Sequence, residues 1–407
     1  MQSISKAILD DNRGRDPERL RLKLAALRAD PFSFFRGTCP LFYRTLQLDR
    51  SLRSSPMVLA CGDLHLENFG SYKGDNRLVY FDLNDFDESC RAPVAYDLVR
   101  FLASTFVAAK SLKISDKAAA KLATGFIDTY AANVMAGKPR WVERSLATGP
   151  VKKLLQSLKG RHRIDLIRER TLRKGQKIHL IVDGKKTLAA SPQDRARAES
   201  ILGAYASTQP SPVFFEPLDI ARRIAGNGSL GLERYVVLVR GNGSLDGQYL
   251  IDIKIASPSA LAACLDGAQP RWRSDAERVV SVQHITQAIS PALLGAVGVG
   301  KRSYLIKELQ PTADRVNLSA LRGKADGLSD VIRTMAEVTA WGHLRTCGRL
   351  EAASVETLAA FAAGADWRKR ILENAQNAKD LVLQQWQSYS VEYDADAERL
   401  LPASGRN

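Results

Sequence analysis

Apolar runs that end in clusters of polar side chains set the pattern of the first hundred residues. The run Met57 to Ala60 passes into a turn carrying Asp63, His65, Glu67 and Asn68. The run Leu78 to Phe81 passes into a second turn carrying Asp82, Asn84, Asp85, Asp87 and Glu88. Both runs have the length of buried strands. From Tyr96 to Lys110 apolar residues are nearly continuous, which predicts a buried helix. Further helices are predicted over 115–137 behind a Ser115 cap, over 141–160, over 274–289 behind Ser274, from Ser329 to Cys347-Gly348, and over 355–391. Asp16-Pro17-Glu18 starts a helix in a charged arm spanning residues 1–30. Thr171 to Leu188 alternates and reads as a hairpin turning at Asp183-Gly184. Strands follow at Tyr235 to Val239, Tyr249 to Ala256 and 302–309. This mixture is an α+β fold.

Composition narrows the class. The chain has 407 residues, 45% hydrophobic and 25% charged, as expected of a soluble globular protein. No stretch nears the ~20 continuous apolar residues of a membrane helix. The N-terminus lacks the apolar core of a signal peptide. Five scattered cysteines without a C-x-x-C pair fit a reducing cytoplasm. The net charge of +15 suits any acidic partner. The densest basic run, Lys152 to Lys177, has no interleaved aromatics to stack bases, which argues against single-stranded nucleic acid.

The two polar turns carry the candidate chemistry. Carboxylates gathered at strand ends need a cationic partner or a metal. Oxygen donors alone favour a hard cation such as Mg2+. A calcium loop fits poorly, because Phe86 stands where a ligand is needed and the turn glycine is missing. Cys61, His65 and Cys90 lack a second ligand pair for zinc.

The spacing Asp63-x-x-x-x-Asn68 is that of a kinase catalytic loop, with a metal-binding Asp following a short hairpin. GDLHLEN resembles the G-D-x-H-x-x-N loop of the aminoglycoside phosphotransferase and choline kinase group. NDFDE resembles that group's metal turn, and Ala95-Tyr96-Asp97-Leu98 resembles the Y-D-L-A that follows. The stretch is also similar to a bacterial family known only as a kinase-like domain of unknown function. The resemblance implies that Asp63 is the base or orienting carboxylate and that Asn68 and Asp85 hold metal. Asp85-Phe86 has the D-F form; Asp82 lies nearer the strand end and is a second metal candidate. Asp97 would anchor the catalytic loop through backbone amides.

The second informative region is 219–257. Gly226-x-Gly228-Ser229-x-Gly231 lies between an apolar lead-in and a β-branched strand, not before a helix, which excludes a Rossmann reading. A glycine turn followed by two strands, the second bearing Lys254, is the order of a kinase small lobe. An ordinary hairpin and a solvated strand lysine are the plainer alternatives. Continuing the resemblance, Glu277 would pair with Lys254. The strand ending at Glu308, before Gln310-Pro311, would be a hinge whose groups hold adenine.

In ordinary kinases the glycine turn precedes the catalytic loop; here it follows. Either the glycine region is coincidental or the chain is circularly permuted. The permuted reading gives 1–215 as the first part of a large lobe, 216–312 as a small nucleotide-binding lobe, and 313–407 as helices returning to the large lobe. The function expected is ATP- and Mg2+-dependent phosphorylation of a small-molecule hydroxyl. The alternative is a pseudokinase-like nucleotide-binding module without catalysis. No motif specifies the acceptor or an oligomeric state.

Overall fold

A computed structural model describes residues 3–175, 177–226, 228–244, 246–310 and 315–395. It is an α+β protein with antiparallel sheets. The strand Met57–Ala60, which leads into the first polar turn, pairs with Cys90–Pro93. Phe69–Lys73 pairs with Val79–Leu83, so the two polar turns lie side by side. The helix Ala95–Ala108 is buried along its whole length. It packs with Asp116–Ala136, Ala325–Thr346 and Trp367–Ala395 around the largest core. The last turn of Ala325–Thr346 abuts the strand Met57–Ala60: Leu59 N–H donates to Thr346 Oγ1 (3.3 Å). Just beyond it, Ala353 N–H donates to Met57 O (2.8 Å).

A six-stranded antiparallel sheet forms the other part. Its spatial order is Gly295–Val299, Arg302–Glu308, Tyr249–Ile255, Arg234–Val239, Pro217–Arg223, Thr187–Ala189. Period-2 alternation gives it two apolar faces. Val237, Ile251 and Ile306 pack under the helix Pro192–Ala206, while Val236, Leu238 and Leu250 pack against Ile167 and Leu180. The sheet therefore recruits Thr187–Ala189 and its covering helix from before residue 216, the boundary expected from sequence.

Three expected elements differ. The span 141–160 is a short strand, Val142–Glu143, and a helix, Gly149–Ser157, with Pro150 in its first turn. The 171–188 hairpin pairs Thr171–Lys174 with Lys177–Leu180 instead of turning at Asp183-Gly184. Asp183 Oδ1 instead accepts from the N–H groups of Lys185, Lys186 and Thr187, redirecting the chain into the large sheet. The final helix breaks at Gly364 into Val355–Ala363 and Trp367–Ala395. Among the described residues no helix is long and apolar enough to cross a membrane.

Candidate functional site

The first polar turn is fixed from behind. Gly62 adopts φ +82°, a conformation that only glycine adopts without strain. Its N–H donates to Asp97 Oδ1 (2.9 Å), and Cys61 N–H donates to Asp97 Oδ2 (2.8 Å). Asp97 thus anchors the loop through backbone amides, as expected. His343 Nε2 lies 3.2 Å from Asp97 Oδ2, and Tyr130 Oη lies 2.9 Å from His343 Nδ1. With Nε2 as donor to Asp97 and Nδ1 as acceptor from Tyr130, His343 satisfies both bonds.

Asp63 faces the cleft. Its Oδ1 accepts two bonds from the fully buried Arg100, from Nε (3.0 Å) and Nη2 (2.7 Å). Its Oδ2 is 3.9 Å from His65 Nε2, beyond hydrogen-bond reach. Burial raises the Asp63 carboxyl above the ordinary carboxylate range, with Arg100 opposing. Burial, then Arg36 and Arg100, push His65 well below its usual range, so it is neutral. His65 Nδ1 accepts from Glu67 N–H (3.1 Å), which shapes the loop.

Asn68 bridges the two turns. Its Oδ1 accepts from Asp85 N–H (2.8 Å), and its amide donates to Asp63 O (2.9 Å) and Asp85 O (3.0 Å). One lone pair on Oδ1 remains for a cation. The Asp85 side chain is open to the cleft. Desolvation pushes its carboxyl up, but Lys254 and Lys307 more than offset this and hold it below the ordinary range. Lys254 comes from the centre of the six-stranded sheet and forms an ion pair with Asp87. Thus the lysine strand and the acidic turn, far apart in sequence, meet.

Two adjoining cavities flank this junction. The larger, about 620 Å³, has Lys254, Lys307, Arg234 and Gln310 on one side and Val279, Leu305 and Met335 as apolar wall. The smaller, about 130 Å³, has Asp63, His65, Arg36, Arg15 and Lys23 on its wall. Asp85, Asp87, Gly226 and Ser229 border both; Gly228 borders only the smaller. Gly231 borders neither. Its carbonyl accepts from Asp16 N–H (3.1 Å), and its φ of +83° turns the chain against Arg15.

Three expected ligands lie elsewhere. Asp82 is on the opposite face of its strand from the cleft, with Arg345 at 4.0 Å and Leu83 N–H bonded to its Oδ1. Burial pushes its carboxyl up to about 6, and it borders neither cavity. Glu277 turns back on its own helix start, where its carboxylate accepts from Arg273 N–H; the same helix offers Val279 and Gln283 to the cleft. Asp87 takes the position beside Lys254. Glu308 points away and pairs with Arg77 (2.7 Å), because strand alternation turns Lys307 inward instead. The expected hinge continues into Pro311, which lies outside the described residues.

Sequence reading named Asp87 in the acidic turn without giving it a role, and passed over Arg100, Lys307, Arg15 and Lys23. Asp87 stands two residues after Asp85 in the same acidic turn. Arg100 is a lone cation in an almost wholly apolar helix, and that signals a buried anion. Nothing local marks Arg15 or Lys23. Among the described residues no three His, Cys, Asp or Glu side chains converge as a metal cage.

The chain belongs to a family described as uncharacterized proteins conserved in bacteria (DUF2252), whose model matches residues 15–392. No curated protein matches the chain, and no solved structure does.

Proposed function

We propose that the protein is an ATP- and Mg2+-dependent phosphotransferase acting on a small-molecule hydroxyl, with a two-lobed kinase-like fold in permuted order. The observation that carries this is the Lys254–Asp87 pair, formed across 167 positions of chain beside Asp85 and under the glycine turn. The order of glycine turn, lysine strand, helix Asp275–Thr286 and strand leading to Gln310 supports it. The permuted order is supported by the end of helix Ala325–Thr346 lying against Leu59, where it would lead into the catalytic loop.

The residues fit the implied ligands. Mg2+ is usually held by one or two carboxylates plus the phosphates it bridges, not by an all-protein cage. Asp85, Asp87 and the free lone pair of Asn68 Oδ1 are such donors. The larger cavity offers an apolar wall for a base and Lys254 and Lys307 for phosphates. Bound there, Mg2+–ATP supplies the phosphoryl group to be transferred.

The chain's own part is positioning and proton transfer. Lys254 exchanges Asp87 for phosphate oxygens. Arg100 ties Asp63 Oδ1, which leaves Oδ2 to take the acceptor's hydroxyl proton. The raised carboxyl of Asp63 makes it a better base than an exposed aspartate. The phosphoryl group goes to the hydroxyl oxygen, and ADP leaves.

A nucleotide-binding module without turnover is the second reading. It is favoured by Asp63 being held by Arg100 and by Asn68 bonding the backbone of both turns. The test is Mg2+-dependent ADP release alongside binding of a non-hydrolysable ATP analogue. Asp63→Asn should lower turnover by about 10²-fold or more while analogue affinity stays within about twofold. Binding without turnover selects the second reading; absence of both removes the proposal.

A further inference from the structure

Two cations on the wall of the smaller cavity lack a counter-ion. Arg15 follows the first helix, Ile4–Asp11, and Lys23 lies on the second, Pro17–Ala29. Arg15 Nη1 donates to the carbonyls of Gly228 (2.6 Å) and Leu230 (2.8 Å). Lys23 Nζ donates to Asn12 Oδ1 (2.8 Å) and Gly228 O (3.3 Å), and Lys23 is buried. Among the described residues neither has a carboxylate within ion-pairing distance. The neighbouring cations do. Arg36 pairs with Glu67, Arg100 with Asp63 and Arg44 with Asp11. Glu88, also on this wall, accepts from Ala260 N–H, and burial pushes its carboxyl up to about 7.

Burying a cation against neutral oxygens alone is costly. Desolvation lowers Arg15 to about 10 and Lys23 well below the usual lysine range. An anion entering the cavity removes that cost. The anion is not assigned to the nucleotide, because both residues border the cavity that holds Asp63 and neither borders the larger one.

We infer that the acceptor carries a phosphate or carboxylate group besides its reactive hydroxyl, and that Arg15 and Lys23 bind this anion. The inference rests on the phosphotransferase reading for the role of the cavity. Both residues also hold the glycine turn, so acceptor binding and placement of that turn share the same side chains.

The test is calorimetric titration of inorganic phosphate into the full chain, with Mg2+ and a non-hydrolysable ATP analogue present. Wild type should bind phosphate. Arg15→Gln and Lys23→Gln should each weaken it about tenfold, a larger loss than either causes in analogue affinity. Lys23→Arg keeps the charge and should stay within about threefold of wild type. Thermal unfolding of each variant checks that it is folded. The inference is overturned if wild type binds no phosphate, or if the glutamine variants bind it equally well. It is also overturned if those variants weaken the analogue more than they weaken phosphate. Phosphate binding through Arg15 and Lys23 in a protein that binds no analogue overturns the phosphotransferase reading alone and leaves the anion site standing.

Discussion

Gly62 shows how much of the site rests on single residues. Its left-handed backbone aims Asp63 at the cleft, and a Cβ there would overlap the Glu88 carbonyl, a backbone atom that cannot swing aside. Gly62→Ala should therefore destabilise the protein by about 2–4 kcal/mol, read as a lower urea midpoint. A midpoint equal to wild type would mean that the loop is not fixed as described. Asp82 is informative in another way. Its folded carboxyl lies at about 6 against an ordinary 3.8, so the folded state binds the proton more tightly than the unfolded one. Stability from this group is present below about pH 4 and is lost as pH rises towards 6, by about 3 kcal/mol in total. Asp82→Asn abolishes that titration. Relative to wild type, the variant should gain stability between pH 4 and pH 7; an unchanged difference at the two pH values would refute the assignment. At this scale Asp63, Asn68 and Asp85 were legible, because a spacing of five and a D-F pair survive any change of surroundings. Asp82 was not, because which face of a strand a residue takes depends on what packs there. Glu308 and Lys307 differ by one position and fall on opposite sides for the same reason.

The six-stranded sheet is held at its cleft side by a charge cluster across three neighbouring strands. Asp252, two residues before Lys254, accepts from Arg234 on the next strand, and Arg223 on the strand beyond reaches the same carboxylate. Burial raises the Asp252 carboxyl, but the two arginines overwhelm this and hold it far below the ordinary range. Asp252→Ala leaves two largely covered arginines without their carboxylate and should cost about 3–5 kcal/mol. It should also shift the lysine strand, so analogue binding should weaken with stability. A loss of stability with analogue affinity intact would separate the cluster from the cleft. Three of the sheet's strands, Arg234–Val239, Tyr249–Ile255 and Arg302–Glu308, were readable from their apolar and β-branched runs, and the helix Ala95–Ala108 from its unbroken apolar run. The hairpin after residue 170 was misplaced because Asp183 is a turn signal that here redirects the chain rather than folding it back. The break at Gly364 was missed because a glycine within an apolar helical pattern marks an end only when the next helix packs in a different direction.

At the scale of the whole molecule, the site belongs to no single stretch of chain. Asp63 and Asp85 come from the first hundred residues, Lys254 from the large sheet, and Arg15 and Lys23 from the N-terminal arm. That arm is tied in turn to the last helix: Arg28 pairs with Asp394 (2.7 Å), and Ser3 Oγ donates to Glu392 Oε2 (2.7 Å). Order along the sequence could suggest that the glycine turn and the acidic turn cooperate, but only tertiary contact joins them. The proposed reading has a consequence that no local property shares. A nucleotide held between Lys254 and Asp85 should couple the two parts, and binding to the folded state alone contributes about 2.7 kcal/mol of stability at a hundred times its Kd. Hydrogen exchange with Mg2+ and a non-hydrolysable ATP analogue should therefore slow together in two separate segments, 61–69 with 84–88 and 228–236. In Lys254→Met both effects should vanish together, since one ammonium serves both sides of the cleft. Protection confined to one segment, or retained in Lys254→Met, would mean that the ligand sits on one part alone and that the Lys254–Asp87 pair is a structural tie.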